Sequence, residues 1–582
     1  MDYTKLAPTL AAAYERHQHE DRVALHRQAA SLGWVSVDEP AKPARAVVSL
    51  VCDPQAKLDD VNNDGIKINA GGRSIRTGIV AFDSLETLAK HDGIHRIVSA
   101  HRLHPYMDTA RGAVSLDKFQ KRTKLTGEDV LIGIVDTGID SNHPAFAGRI
   151  ERIWDQELHG SGVAEAEFGR ELRGTDLSLS RDTGGHGTHV SGICAGAGSA
   201  YPGIAPKARI VAVKTNFLDA GVTAGIQYIF RVGREMGLPT VVNLSLGGHF
   251  DAHDGTDTLS RTIDEEAGSG KIVCCAAGNE GNDDIHARLD VESGSVKAVP
   301  CIPNIKGSAH RDFWLNGWYS GRKNFEVAIA SPSGHTTPFQ PVRSTEEAPT
   351  GSYTLPEGKV EITTPPAGTG NGDHNFFIMV RPEPTDSRTL LLPPTWQLLI
   401  RSVTADHGNV DVWIVGNSGS ARFNGPYASD SMKIGSPGAS SSAITVAAYS
   451  SKDSWNDIDN QPRAATWLRL NDVADFSSEG PRRDEIEKPD VTAPGAMIVA
   501  SLSQDSAPQR WLTLDTQHVA MQGTSMASPF VAGVCALLLQ REKDLDPAQV
   551  KEILHEHTVP VNGRSGTFDP KCGYGLIDLA NV

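Results

Sequence analysis

Between Gly127 and Asn282 the chain repeats one unit: an apolar run, a glycine turn, then a helical stretch. VLIGIVDTG, ARIVAVKT, TVVNLSLGG and KIVCCAAGN are apolar along their length, without the alternation of a strand that has one wet face. GHGTHVSGICAGAG, VTAGIQYIFRVGREMG and LSRTIDEEAGS lie between them and read as helices. Strands apolar on both faces, alternating with helices, specify a parallel sheet covered on either side, an α/β fold. The pattern resumes at AITVAAYS, continues through DVTAPG, and closes with FVAGVCALLLQ and DPAQVKEILHEH.

Two other regions break this rhythm. Residues 1–30 look helical and polar, and AVVSLVCD, RTGIVAFDS, SLETLAKHDG and IHRIVSAHRL then read as strand, strand, helix and strand, a small α+β module. From about Asp290 to Ser431 the chain becomes rich in Pro, Gly and Thr, with alternating segments such as NFEVAIAS, NFFIMVRP, WQLLIRSV and NVDVWIVGN. Turn signals at Ser333-Gly334 and Gly372-Asp373 separate them, as in an antiparallel β-sandwich. The expected division is an N-terminal module over 1–111, an α/β domain over 112–289 and 432–582, and a β insertion over 290–431.

Composition narrows the function classes. A formal charge of −16 disfavours nucleic acid or an anionic membrane as the main partner. No run approaches the ~20 apolar residues needed to span a bilayer. The start MDYTKLAPTLAAAYERHQHEDR lacks a basic segment followed by a long apolar core, so a cytoplasmic protein is expected. Seven cysteines, with Cys194, Cys274, Cys275 and Cys535 in apolar contexts, suggest buried thiols more than a disulfide framework. Asp60 to Gly65 imitates the start of a calcium loop, but Gly71 stands where a bidentate glutamate belongs, so a solvated turn is expected.

Three polar residues stand where an open parallel sheet places its chemistry, at the carboxyl ends of strands. Asp136 closes VLIGIVD ahead of Thr137-Gly138, His186 follows Gly184-Gly185 at a helix start, and Ser525 opens the helix after Gly523-Thr524. A serine at that junction is either a helix cap or a nucleophile held near backbone N–H groups. An imidazole takes the hydroxyl proton, and a carboxylate on its other nitrogen fixes the tautomer. His189, close behind His186, is read as helix packing before a metal pair, and the adjacent Cys274 and Cys275 as core.

VDTGID, HGTHVSG, NLSLGG, AAGNEGN and GTSMASPFVAG together resemble the successive signatures of the subtilisin-like serine proteases, in the family order Asp, His, Ser. The resemblance implies a subtilisin-like parallel sheet and a serine endopeptidase acting on peptide or protein substrates without a cofactor. It implies Asp136 as orienting acid, His186 as general base, Ser525 as nucleophile and Asn279 as side-chain donor to the oxyanion. Leu246, Gly247 and Gly248 match the edge that pairs with an extended substrate. Ala276, Ala277 and Gly278 match one wall of the first specificity pocket. Activity is expected to fall as pH drops through the His186 pKa, roughly 6–7.

The N-terminal module resembles the family's inhibitory prodomain, which makes the protein a zymogen with its own prodomain as a partner. The stretch His104 to Arg111 is then the expected site of self-cleavage, within it or just after. Alanine at 145, after His143-Pro144, and the acid-free AGAGSAYPGIAP imply that the family's tight calcium site is absent. The long interval between Asn279 and Ser525 makes the layout similar to the clostridial germination proteases, which also carry an inserted, jelly-roll-like β-domain. WYSGRKNFEVAIASPSG and RIWDQ add to that likeness. The inserted domain and the lack of a visible signal segment leave open a dedicated processing protease with one partner protein. An inactive scaffold on the same fold is the other alternative.

Overall fold

Eight parallel strands form the centre of the α/β sheet, in the order Leu576–Ile577, Val491–Pro494, Ile444–Tyr449, Lys271–Ala276, Thr240–Leu244, Leu131–Asp136, Arg209–Lys214, Ile150–Asp155. Short antiparallel strands, Thr558–Val559 and Arg170–Leu172, flank them. The computed structural model describes 34–36, 44–53, 55–63, 65–68, 75–99 and a few isolated positions of the first 107 residues. From Asp108 onward it describes all but 199, 307–308, 311, 345–347, 368–370, 384–394, 404–405, 416–419 and 565–566. The predicted helices of residues 1–30 therefore lie largely outside the described residues, as do Asp64 and Gly71 of the loop that imitates a calcium site. Within that loop the Asn63 side-chain oxygen accepts from the Gly65 and Ile66 N–H groups, and Asn62 from Ile68, which is turn chemistry.

All six residues of Leu131–Asp136 are buried, as are all six of Ile444–Tyr449, because helices cover both faces. The helices His186–Ala195 and Thr524–Arg541 pack on one face through Val190, Ile193, Phe530, Val534 and Leu538. Asp219–Met236 and Thr258–Glu266 pack on the other through Ile226, Ile229, Leu259 and Ile263. The Ser525 helix is apolar all round because it is buried all round, from Met526 to Leu539.

Chain order reverses at Leu131–Asp136. Later strands are added on one side as Arg209–Lys214 and on the other as Thr240–Leu244. The carboxyl end of this strand is a topological switch point, where open α/β sheets leave a crevice. Asp136 occupies that end.

Two antiparallel sheets lie between the halves of the α/β sequence. One has the order His286–Val291, Gly408–Val415, Phe313–Tyr319, His374–Pro382, Gly358–Thr363, Thr350–Leu355; the other Phe325–Ala330, Trp396–Ser402, Val296–Pro303, Ala421–Phe423. Alternate residues point into a shared core, including Leu289, Phe313, Ile378, Leu398 and Val412. Its first strand begins at His286, ahead of the expected boundary at 290, because His286 pairs with Trp413 across a strand that comes much later in the chain.

The chain divides into two compact units, Met1–His104 and Pro105–Val582. In the first, Arg45–Cys52 pairs antiparallel with Ile75–Ala81 and Ile94–Ser99, and the helix Leu85–Ala89 joins the core through Leu85 and Leu88. The short strands Trp34–Ser36 and Ile66–Ile68 extend this sheet. The division falls before the expected boundary at Arg111. Asp108–Ala113 is helical, and Ala110 and Arg111 are buried within the second unit.

Candidate active site

Asp136 is fully buried at the strand end, and its Oδ1 lies 2.7 Å from His186 Nδ1. A carboxylate accepts only, so Nδ1 carries the proton and Nε2 keeps its lone pair for chemistry. The Thr137 N–H also donates to Oδ1 at 2.7 Å, while Oδ2 is buried with no hydrogen-bond partner among the described residues. Burial of the imidazole opposes its protonation, yet the charge and hydrogen bond of Asp136, helped by Asp182, outweigh it and raise the His186 pKa.

Asp182, which the motif reading passed over, builds the corner that holds His186. Its Oδ1 accepts from Thr137 Oγ1 at 2.7 Å and the Gly185 N–H at 2.8 Å. Its Oδ2 accepts from the Thr188 N–H and hydroxyl at 2.8 and 2.6 Å. It thus ties the loop after Asp136 to the first turn of the His186 helix. Gly187 allows the approach, since a Cβ there would lie 2.1 Å from the Gly138 carbonyl oxygen. His189 is core: its fully buried Nε2 sits 3.0 Å from the Ile498 carbonyl and 3.1 Å from that of Val519. Burial first, and then His186, depress its pKa to about 3. Cys194, Cys274, Cys275 and Cys535 are fully buried, with Cys274 Sγ 3.8 Å from Cys535 Sγ.

Ser525 is the second residue of its helix and half-buried. Helical geometry assigns its carbonyl to the N–H of residue 529, but Pro529 has none. Ser245 Oγ donates to that carbonyl instead, at 2.8 Å. Asn243 Nδ2 in turn donates to Ser245 Oγ at 3.0 Å, and Ser528 Oγ to Asn243 Oδ1 at 2.8 Å. The Ser525 hydroxyl donates to the Ser245 carbonyl at 3.2 Å and makes no hydrogen bond to His186. Nucleophile–base bonds are often unmade until substrate is present.

Asn279 faces the same turn. Its Oδ1 accepts from the Thr524 N–H at 2.9 Å and the Thr524 hydroxyl at 3.1 Å, which leaves Nδ2 as a donor with no protein partner among the described residues. Thr524 Oγ1 also bridges to the backbone of Gly278 at 3.1 Å. Gly523, at φ +148°, would place a Cβ 3.6 Å from both Asn279 Nδ2 and Ser525 N. The absent side chain keeps open the space in front of these two donors.

A cavity gathers Ser525, Asn279, Leu246, Gly247, Gly248 and Ala276 to Gly278 in its lining. Gly247 is exposed, and its N–H and carbonyl have no backbone partner among the described residues. Gly248 donates its N–H to the Ser436 carbonyl at 2.9 Å, so the free edge is shorter than the motif suggests. Glu280 also lines the cavity. Burial opposes its ionisation, but His249, the Asn279 N–H at 2.7 Å and Ser478 hold its pKa at about 2. The signal for the missed residues Asn243, Ser528 and Asp182 was polarity inside or just ahead of an apolar run.

The chain matches the profile of the subtilase family over residues 127–305 and 380–575. The serine protease AprX of Bacillus subtilis is 39% identical over 132 residues, 22% of this chain and 27% of that protein. The subtilisin-like protease SBT1.4 of Arabidopsis thaliana is 27% identical over 484 residues, 74% of this chain and 57% of its own. The chain thus spans about a quarter to just over half of these curated relatives. Among solved structures, the Clostridium perfringens CspB protease superposes with a TM-score of 0.65 at 24% identity, over 81% of this chain and 95% of that one, a likeness of fold.

Proposed function

The chain belongs to the subtilase family, and we propose that it is a serine endopeptidase that cuts peptide bonds through an acyl-enzyme on Ser525. The observation that carries this reading is the 2.7 Å bond between Asp136 and His186, which sets the tautomer a general base requires. Ser525 Oγ attacks the substrate carbonyl carbon as its proton passes to His186 Nε2. The oxyanion accepts from Asn279 Nδ2 and the Ser525 N–H, fixed dipoles that need no reorganisation when charge appears. His186 then returns the proton to the leaving amine, and water repeats the sequence to release the acyl group. No organic cofactor enters these steps.

Gly247, whose backbone has no backbone partner among the described residues, and the small walls Ala276, Ala277 and Gly278 support extended main-chain binding beside the nucleophile. The Met1–His104 unit acts in this reading as a prodomain removed by the enzyme itself. A serine-reactive phosphonate fluoride is expected to label the wild type and leave Ser525→Ala unlabelled. Labelling of both, or of neither, overturns the assignment and, in the second case, returns the fold to a scaffold role. The inserted antiparallel sheets favour a narrower task, processing of particular protein substrates. A single cleavage consensus over a mixed peptide library supports that task, and cuts at many unrelated sites count against it.

A further inference from the structure

The cavity beside Ser525 continues into a larger one, and the two share Leu246, Gly247, Gly248, His249, Glu280 and Ser436 in their lining. Beyond that shared rim the far wall comes from the antiparallel sheets, through Ile414, Val415 and Ala421, and from Ile285, which leads into them. At the mouth stands Phe250, 58% exposed. Its ring centroid lies 6.1 Å from that of Trp314 and 6.3 Å from that of Phe377, and those two are 6.2 Å apart. Trp314, 36% exposed, pairs in register with Val415, so the aromatic cluster and the cavity wall belong to neighbouring strands of one sheet.

Three aromatic rings grouped at the surface are a costly arrangement unless something covers them. Other aromatics on the same sheet are covered: Trp413 is fully buried against Met432, and its Nε1 donates to the Met432 carbonyl at 2.9 Å. Of the three open or half-buried rings, Phe250 lines the cleft itself, and Trp314 and the half-buried Phe377 stand behind it. Alternate side chains of an extended peptide fall about 6.6 Å apart, close to the spacing of these rings.

Charge narrows the occupant further. Asp219, Asp257, Glu280 and Asp283 contribute to the lining of the larger cavity, and no lysine or arginine does among the described residues. A second copy of this chain, with a formal charge of −16, meets like charge there. A polypeptide threaded from Ser525 and carrying apolar and basic side chains meets apolar walls and unlike charge.

We propose that this groove is an extended substrate channel in which Phe250, Trp314 and Phe377 bind an apolar, lysine- or arginine-bearing segment of the protein substrate away from the scissile bond. The inserted sheets thereby supply specificity to a cleft built by the α/β sheet, an inference that rests on the endopeptidase reading above. The test compares a short chromogenic peptide that spans only the cut with two longer peptides. Each long peptide carries alternating Leu and Lys, one before and one after the cleavage point. In the wild type, one long peptide is expected to be preferred. In Phe250→Ala and Trp314→Ala the ratio of its kcat/KM to that of the short peptide falls about tenfold, through KM. Exchange of its lysines for glutamates lowers the same ratio in the wild type. Equal losses on short and long peptides, or an unchanged ratio, overturn the channel. If the wild type cuts none of the three and escapes the phosphonate, the endopeptidase reading itself falls.

Discussion

Ser245 Oγ donates to the carbonyl of Ser525 at 2.8 Å, the bond that a helical N–H would make if Pro529 had one. The proline frees a backbone acceptor at Ser525, and a serine from the end of a sheet strand satisfies it. Ser245→Ala leaves that half-buried carbonyl without its donor, with a cost of about 1 kcal/mol. Denaturant unfolding is expected to show this loss, together with a lower kcat because the Ser525 turn is less firmly held. Wild-type stability in the variant counts against the bond.

Gly523 gives a second prediction at the same turn. A side chain there meets the left-handed backbone, at φ +148°, and fills the space before Asn279 Nδ2 and Ser525 N. Gly523→Ala is expected to lower kcat by a factor comparable with Asn279→Ala. For that variant the loss is about 10²–10³, the effect of removing one oxyanion donor from a subtilisin. A Gly523→Ala enzyme with near-normal kcat places the developing charge elsewhere.

These relationships mark how far the sequence could be read. Asp136, His186, Asn279 and Ser525 each sit in a short local pattern of strand end, glycine turn and helix start, so the residues were legible one motif at a time. The partnership of Ser245 with Ser525 was not, because it depends on a missing N–H in one helix and a hydroxyl from a distant strand. Asp182 was hidden for the same reason, since its four bonds reach Thr137, Gly185 and Thr188 only after the helix docks. In the inserted sheets the alternating segments were visible, whereas the start at His286 required its pairing with Trp413. The strands Trp34–Ser36 and Ile66–Ile68 are too short to show a period.

The pH dependence follows from the Asp136–His186 pair. The His186 pKa is raised above its ordinary 6.5, so the neutral base is fully populated only at higher pH than an isolated imidazole requires. The rise of kcat/KM with pH is expected to have its midpoint above 6.5. Stability runs the other way. The pairing of protonated His186 with Asp136 contributes fully below the unfolded pKa, and this contribution is lost as pH rises through the folded one. Asp136→Asn removes the cause and is expected to shift the midpoint down and cut kcat by about 10⁴. A midpoint at or below 6.5 in the wild type contradicts the raised pKa.

The proposed self-cleavage is confined more narrowly than the motif suggests. A subtilase site binds its substrate extended, and Asp108–Ala113 is helical. Arg111 is buried in that helix, with Nη1 donating to the Gly203 carbonyl at 3.1 Å and Nε to Asp117 Oδ1 at 2.9 Å. The residues available for cutting without unwinding it therefore precede Asp108, close to the unit boundary between His104 and Pro105. Mass spectrometry of the purified wild type is expected to find a new N-terminus ahead of Asp108, with Ser525→Ala remaining intact. A cut within Asp108–Ala113 means that the helix opens during processing. Identical cleavage of both proteins, or of neither, removes the case for self-processing.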